Sequence, residues 1–201
     1  MVQPAGPDYP INDLIAKRWS PFAFDDRRVS DDDLRVLFEA ARWSASANNE
    51  QPWSYIVATR DQTEEFERLL SWVEEVNQPW ARFASVLALG CGRLTLERTG
   101  LAYETAEHDL GLASANLVFE ATARGLAVHQ MIHIHRDQAR QLYQIPGGVK
   151  PVAALAIGYA GNESRLGPHY QQEDLVRRPR KPLDTFIFSD SWLAASLLVK
   201  Q

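Results

Sequence analysis

Three separated segments of this sequence carry side chains that could hold a phosphate and a flat polar ring. The first is Arg18-Trp19-Ser20-Pro21-Phe22-Ala23-Phe24. A guanidinium and a hydroxyl two residues apart in a loop can bind a phosphate or a polar ring edge. The second is Ser44-Ala45-Ser46-Ala47-Asn48-Asn49-Glu50-Gln51-Pro52-Trp53. Its hydroxyls and amides offer donors and acceptors together, the mixture a pyrimidine edge needs. The third is Arg177-Arg178-Pro179-Arg180-Lys181-Pro182, where clustered guanidinium groups suit a phosphate dianion. Taken singly, each has a plainer reading: a surface pair, a helix-ending turn and a solvated charge run.

Other chemistry is less well supplied. Gly90-Cys91-Gly92 lacks the third glycine and the following helix of a dinucleotide fingerprint. No phosphate-binding P-loop, zinc-protease helix or nucleophile elbow is present. His129, His133 and His135 share one strand-like stretch, so a common face is conceivable. No second cluster of ligands completes a metal site, and these histidines read as lining a pocket or an interface. Cys91 lies in an apolar run and reads as an inert core thiol.

The elements that must position these residues follow from spacing. Asn12 or Asp13 predicts the start of a short helix through Lys17. Ser30, followed by Asp31, Asp32 and Asp33, predicts a capped helix that ends near Trp43. Strands are expected over 54–59, 85–91, 127–134 and 152–159. Helices are expected over 61–76, 104–124 and 136–143. Gly125 stands where a helix commonly closes. Strands and helices mix throughout, so the class is α+β or α/β. Residues 1–10 read as a loose arm. Residues 177–201 carry Phe186, Ile187, Phe188, Trp192 and Leu197 beyond the last core strand, and so much apolar surface needs a partner.

The chain has 201 residues, 45% hydrophobic and 23% charged, which suits a single domain over 1–201 with a sizeable core. The formal net charge is -5, and the basic residues are spread out, so no nucleic-acid surface is expected. No secretory signal is visible, and no apolar stretch reaches the roughly 18 residues of a membrane span. One cysteine excludes an internal disulfide. Together these features point to the cytoplasm.

In their joint order the segments resemble the nitroreductase family of FMN-dependent enzymes, over about residues 11–182. Arg18, Ser20 and Phe24 match the family's opening loop. Ser46, Asn49, Gln51, Pro52 and Trp53 match its amide-rich stretch. Asn77 and Ala84 fit an Asn placed seven residues before the next strand. Asp109, Gly111, Ala113 and Asn116, then Gly125-Leu126, look like its central dimer helix. The stretch 149–159 looks like its late strand, and Arg178, Arg180 and Pro182 like its phosphate-binding close.

The resemblance implies a nitroreductase-like α+β fold with a central, mainly antiparallel sheet flanked by helices. It implies an intertwined homodimer in which the C-terminal extension embraces the partner. FMN would sit at the dimer interface, with NAD(P)H as reductant and a nitroaromatic, quinone or similar flat acceptor as oxidant, in a ping-pong cycle. By carry-over, Arg18, Arg178 and Arg180 would hold the FMN phosphate, with Trp19, Ser20 and Phe22 in the same loop. Ser46, Asn49, Gln51 and Asn77 would contact the flavin or its ribityl chain. The strand around Gln130 and Met131 would pass near the ring, and the opposite subunit's Ser46 and Asn49 segment would complete each site. No side chain need be a nucleophile or general base, and no metal is implied, because the flavin carries the difficult chemistry.

Two positions depart from the pattern. Phe22 and Trp80 stand where basic groups are usual, near the flavin N1 and C2 carbonyl. Losing both cations should lower the reduction potential unless Arg82 or Lys17 substitutes. Phe22, Trp80 and Tyr103 are expected to wall a tight aromatic pocket for flat substrates. The missing cations also keep open a non-catalytic or specialised flavin-binding protein of the same fold.

Overall fold

The computed structural model describes residues 6–175 and 179–199. Helix α1 (Asp13–Lys17) opens where the Asn12 side chain accepts the Leu14 N–H. Helix α2 (Asp31–Arg42) opens at Ser30, whose Oγ accepts the Asp33 N–H at 3.0 Å. Asp31, Asp32 and Asp33 occupy its first turn, where the helix dipole favours negative charge. There follow β1 (Trp53–Thr59), α3 (Thr63–Leu70), α4 (Gln78–Ala81), β2 (Val86–Arg93) and α5 (Ala106–Ala123). The order continues with β3 (Ala127–Met131), α6 (Arg136–Leu142), β4 (Val149–Gly158) and α7 (Pro168–Leu175). Gly125, at φ +72°, takes the left-handed conformation just beyond α5.

The four strands form one sheet in the order β1-β2-β4-β3, and every neighbouring pair is antiparallel. Strand alternation sends successive side chains to opposite faces. Val86, Ala88, Val128, Leu155 and Ile157 pack with Leu37, Ala41, Leu117 and Ala121 of α2 and α5. Leu87, Leu89, Cys91, Ala154 and Ala156 pack with Phe66, Leu69, Leu70, Trp72 and Trp80. The sheet is therefore the middle of three layers, in agreement with the expected α+β class.

Several boundaries differ from the sequence reading. The helix expected over 61–76 stops at Leu70. The Trp72 carbonyl accepts the His135 N–H at 2.7 Å, the Glu74 N–H donates to the His133 carbonyl at 3.2 Å, and Val73 bridges Ile134. Backbone committed to that pairing cannot also close helical turns. The same pairing lies beyond the end of β3, which stops at Met131 rather than 134. Strand β4 starts at Val149, earlier than expected, and a register shift between Gly90 and Cys91 places Pro151, which has no N–H, opposite Cys91. Neither α4 nor α7 was expected. The first is a single turn, and the second is too polar to show an apolar stripe.

Beyond α7, Phe188 bridges Ala195 and its ring lies 5.3 Å from that of Trp192. Trp192 is 83% exposed, and Leu193, Leu197 and Leu198 are exposed with it.

Candidate functional site

Strand β3 is a sheet edge, and its alternation divides its side chains between two environments. Val128 and Gln130 face α5, whereas His129 and Met131 face the other layer. Val128 and Gln130 join Ala115, Val118 and Phe119 of α5 and Arg18 and Ser20 of the loop after α1 around a cavity of about 210 Å³. Arg18 Nη1 donates to Ser20 Oγ at 3.2 Å, so the charged group and the hydroxyl act at one point. The cavity thus has a cationic polar end and an apolar wall.

The loop that carries Arg18 and Ser20 is tied down just beyond them. Asp174 of α7 is 3% exposed, and its Oδ1 accepts the N–H groups of Phe22 at 2.5 Å and Ala23 at 3.2 Å. Burial pushes the Asp174 carboxyl above its usual range, and the two N–H bonds pull it back only in part. The Gly161 N–H donates to the Ala23 carbonyl at 2.9 Å and the Asp25 N–H to the Tyr159 carbonyl at 3.0 Å, zipping the loop to the chain beyond β4.

Phe22 is half-buried, with its ring 5.2 Å from Trp80, 4.8 Å from His129 and 5.3 Å from Tyr170. Trp80 is fully buried, 4.4 Å from the His129 ring. His129 Nδ1 lies 2.9 Å from the Pro21 carbonyl, an arrangement that requires the proton on Nδ1. The expected aromatic pocket is corrected here. Trp80 has no exposed surface, and the Phe22 ring packs against it. Tyr103 is buried elsewhere, against Asp109 near the start of α5.

A second polar cluster forms around residues 46–51. Asn48, Asn49 and Gln51 have φ of 53°, 58° and 46°, in the left-handed region. Ser46 Oγ accepts the Gln51 N–H at 3.0 Å, and the Gln51 amide donates to the Asn49 carbonyl at 3.3 Å. Asn49, Glu50 and Gln51 line a cavity of about 480 Å³ with Glu97 and Arg98.

The structure thus brings Arg18, Ser20 and Gln130 together and Asn49 and Gln51 together, but keeps the two groups in different cavities. Asn77 heads α4, three residues before Trp80. Trp19 is half-buried in the Arg18 loop, and Met131 is buried on the far face of the sheet. Arg180 is exposed, and Arg178 lies outside the described residues. His133 is exposed and His135 Nε2 is 3.4 Å from Glu75, so the three histidines diverge. Among the described residues no group of His, Cys, Asp or Glu is arranged to hold a metal ion.

Sequence reasoning missed Asp174 and the cavity wall of Ala115, Val118 and Phe119. The wall has a legible signal: α5 is apolar around much of its circumference, as a helix partnered on two sides must be. Asp174 has none, being one acid in a polar segment.

Among the described residues no helix is long and apolar enough to cross a membrane. The nitroreductase family model matches residues 15–159, and the chain belongs to that family. It is 31% identical to a solved structure described as an oxidoreductase containing FMN, with a TM-score of 0.88 over 94% of this chain and 96% of that one. The major NAD(P)H-flavin oxidoreductase of Aliivibrio fischeri is 27% identical over 76% of this chain and 68% of its own. A nitroreductase family protein of Clostridium difficile shares the fold at a TM-score of 0.68 and 22% identity, covering 89% of this chain and 96% of that one.

Proposed function

We propose that this protein is an FMN-dependent oxidoreductase that moves a hydride from NAD(P)H to a nitroaromatic, quinone or similarly flat acceptor, and that it works as a homodimer. The observation that carries the reading is the Arg18–Ser20 pair at one end of the apolar cavity between α5 and β3. FMN is amphiphilic in the same sense, with a phosphate at one end and a flat ring system at the other. The residues present fit it.

When bound, FMN supplies the hydride chemistry, and the protein need only hold and orient it. Arg18 would neutralise the phosphate, with Ser20 beside it and Arg178 and Arg180 joining from the chain after α7. Gln130 would offer its amide from the strand. Ser46, Asn49, Gln51 and Asn77 would address the flavin or its ribityl chain.

Two observations support a second copy. Ligand pockets usually enclose about 300–1,000 Å³, and the Arg18 cavity, at about 210 Å³, falls short in one protomer. The exposed apolar groups Trp192, Leu193, Leu197 and Leu198 also lack cover.

The test is the visible spectrum of the purified protein with and without added FMN, followed by anaerobic titration with NADH and NADPH. The expected result is a yellow protein bleached by a nicotinamide and recoloured by a quinone or nitroaromatic, with Arg18→Ala taking up FMN more weakly. A yellow protein that neither nicotinamide reduces would instead be a flavin-binding protein. A colourless protein that takes up no FMN would overturn the reading.

A further inference from the structure

The loop at 46–51 holds a costly backbone. A left-handed conformation is unfavourable for an L-residue, less so for asparagine, and it occurs at Asn48, Asn49 and Gln51 within four residues. Such conformations persist only where surrounding contacts over-determine them.

The contacts here converge on Ala47. Its N–H donates to Asp109 Oδ2 at 3.2 Å. Its carbonyl lies 2.9 Å from the Tyr103 hydroxyl, which is also 2.5 Å from Asp109 Oδ2, with one proton to serve both acceptors. Thr105 Oγ1 adds a bond to the same carboxylate oxygen at 3.4 Å. Both peptide planes flanking Ala47 are thereby fixed immediately before Asn48. Asp109 is 2% exposed and sits in the first turn of α5, a helix packed on α2 and the sheet, so the anchor point is rigid. Farther along the loop, Arg93 Nη2 donates to the Glu50 carbonyl at 3.0 Å. Neither Tyr103 nor Asp109 lines either cavity described above.

We propose that the buried Tyr103–Asp109 pair is a positioning device that holds residues 48–51 in their left-handed course and thereby sets how tightly the loop's amides grip the flavin. The second half of this inference rests on the FMN reading above. The pair acts through Ala47 and the loop backbone and touches no cofactor itself.

Tyr55 supplies an internal control. Its hydroxyl is 3.0 Å from Ser114 Oγ, another tyrosine–helix bond on α5, partly buried, and directed at the helix rather than at the loop.

The experiment compares Tyr103→Phe, Asp109→Asn and Tyr55→Phe with wild type. Three readouts are used: amide hydrogen exchange of residues 47–51 without flavin, the Kd for FMN from fluorescence quenching, and the visible circular dichroism of bound FMN. Tyr103→Phe and Asp109→Asn should speed exchange in the loop, raise the Kd about tenfold and alter the dichroism, for a lost bond worth about 1.4 kcal/mol. Tyr55→Phe should lower Tm comparably while leaving all three readouts unchanged. Should Asp109→Asn fold poorly, Tyr103→Phe, which keeps every carbon, carries the test. Loop exchange that Tyr103→Phe leaves unchanged overturns the inference, as does an equal loss of FMN affinity in Tyr55→Phe. Wild-type protein that takes up no FMN counts instead against the functional reading, while the exchange data still judge the positioning role.

Discussion

The Asp174 carboxylate accepts the Phe22 N–H at 2.5 Å across 152 residues of sequence. Phe22 follows Ser20 by two residues, and Asp174 precedes Arg178 by four. One buried acid therefore ties together, near their roots, the two chain segments expected to meet a phosphate. Asp174→Ala leaves two N–H groups without their acceptor, at a cost of about 1–3 kcal/mol. Urea unfolding should register the loss, and FMN affinity should fall with it.

Asp174 also gives a pH dependence of definite sign. Its carboxyl is raised above its ordinary 3.8 by burial, so the fold favours the protonated form. That contribution is fully present below the unfolded value and is lost as pH rises through the folded one. Asp174→Asn keeps an acceptor oxygen without the charge. The stability of wild type relative to Asp174→Asn should therefore improve as pH falls from 7 toward 4, as read from unfolding curves at each pH.

Gly161 admits no side chain. A Cβ there would lie 2.5 Å from the Phe24 carbonyl carbon and 2.6 Å from the Asp25 nitrogen, both backbone atoms with no rotamer to escape into. Gly161→Ala should cost about 1–3 kcal/mol by overpacking, lower Tm, and loosen the Arg18 loop that Gly161 helps to zip. Gly147→Ala, with open space around the added carbon, should cost much less.

Cys91 should resist thiol reagents. It is buried, and desolvation pushes its thiol up to about 11, so almost no thiolate exists at neutral pH. Ellman's reagent at pH 8 should titrate less than a tenth of a thiol per chain in minutes under native conditions and one full thiol in denaturant. Rapid native reaction would mean that the sheet opens locally.

Glu39 should titrate far below an ordinary carboxylate. Hydrogen bonds from Arg42, and then from the Trp43 indole at 2.8 Å, pull it from 4.5 to about 2. Any stability it lends is present above the unfolded value and lost as pH falls toward 2. The Trp43 indole N–H resonance should report a midpoint near 2 in wild type and one well above it in Arg42→Ala.

Much of this architecture is legible in the sequence. Ser30 with its three aspartates marked the start of α2, Gly125 marked the close of α5, and the spacing of Arg18 and Ser20 marked one end of the cavity. What escaped the sequence was non-local. The end of α3 depends on residues 72–74 pairing with 133–135, a contact no local window contains. Phe22 and Trp80 stood out as aromatic, but their place in the core depends on His129 pointing away from α5 while Gln130 points toward it. That division comes from sheet alternation together with the loop that crosses over it.

Helix α5 keeps Asn49 and Arg18 apart. The loop docks at Asp109 in the first turn, whereas the Arg18 cavity uses Ala115, Val118 and Phe119. At a rise of 1.5 Å per residue, that spacing is about 9–15 Å. The family resemblance implies that, in the homodimer proposed above, each copy would lend its loop to the other's cavity. Two inactive alleles, one altered at Arg18 and one at Asn49, would then complement: a mixed pair pools both lesions in one cavity and leaves the other intact. Two alleles altered in the same half would not, and a cross between strains would show it without any protein being purified.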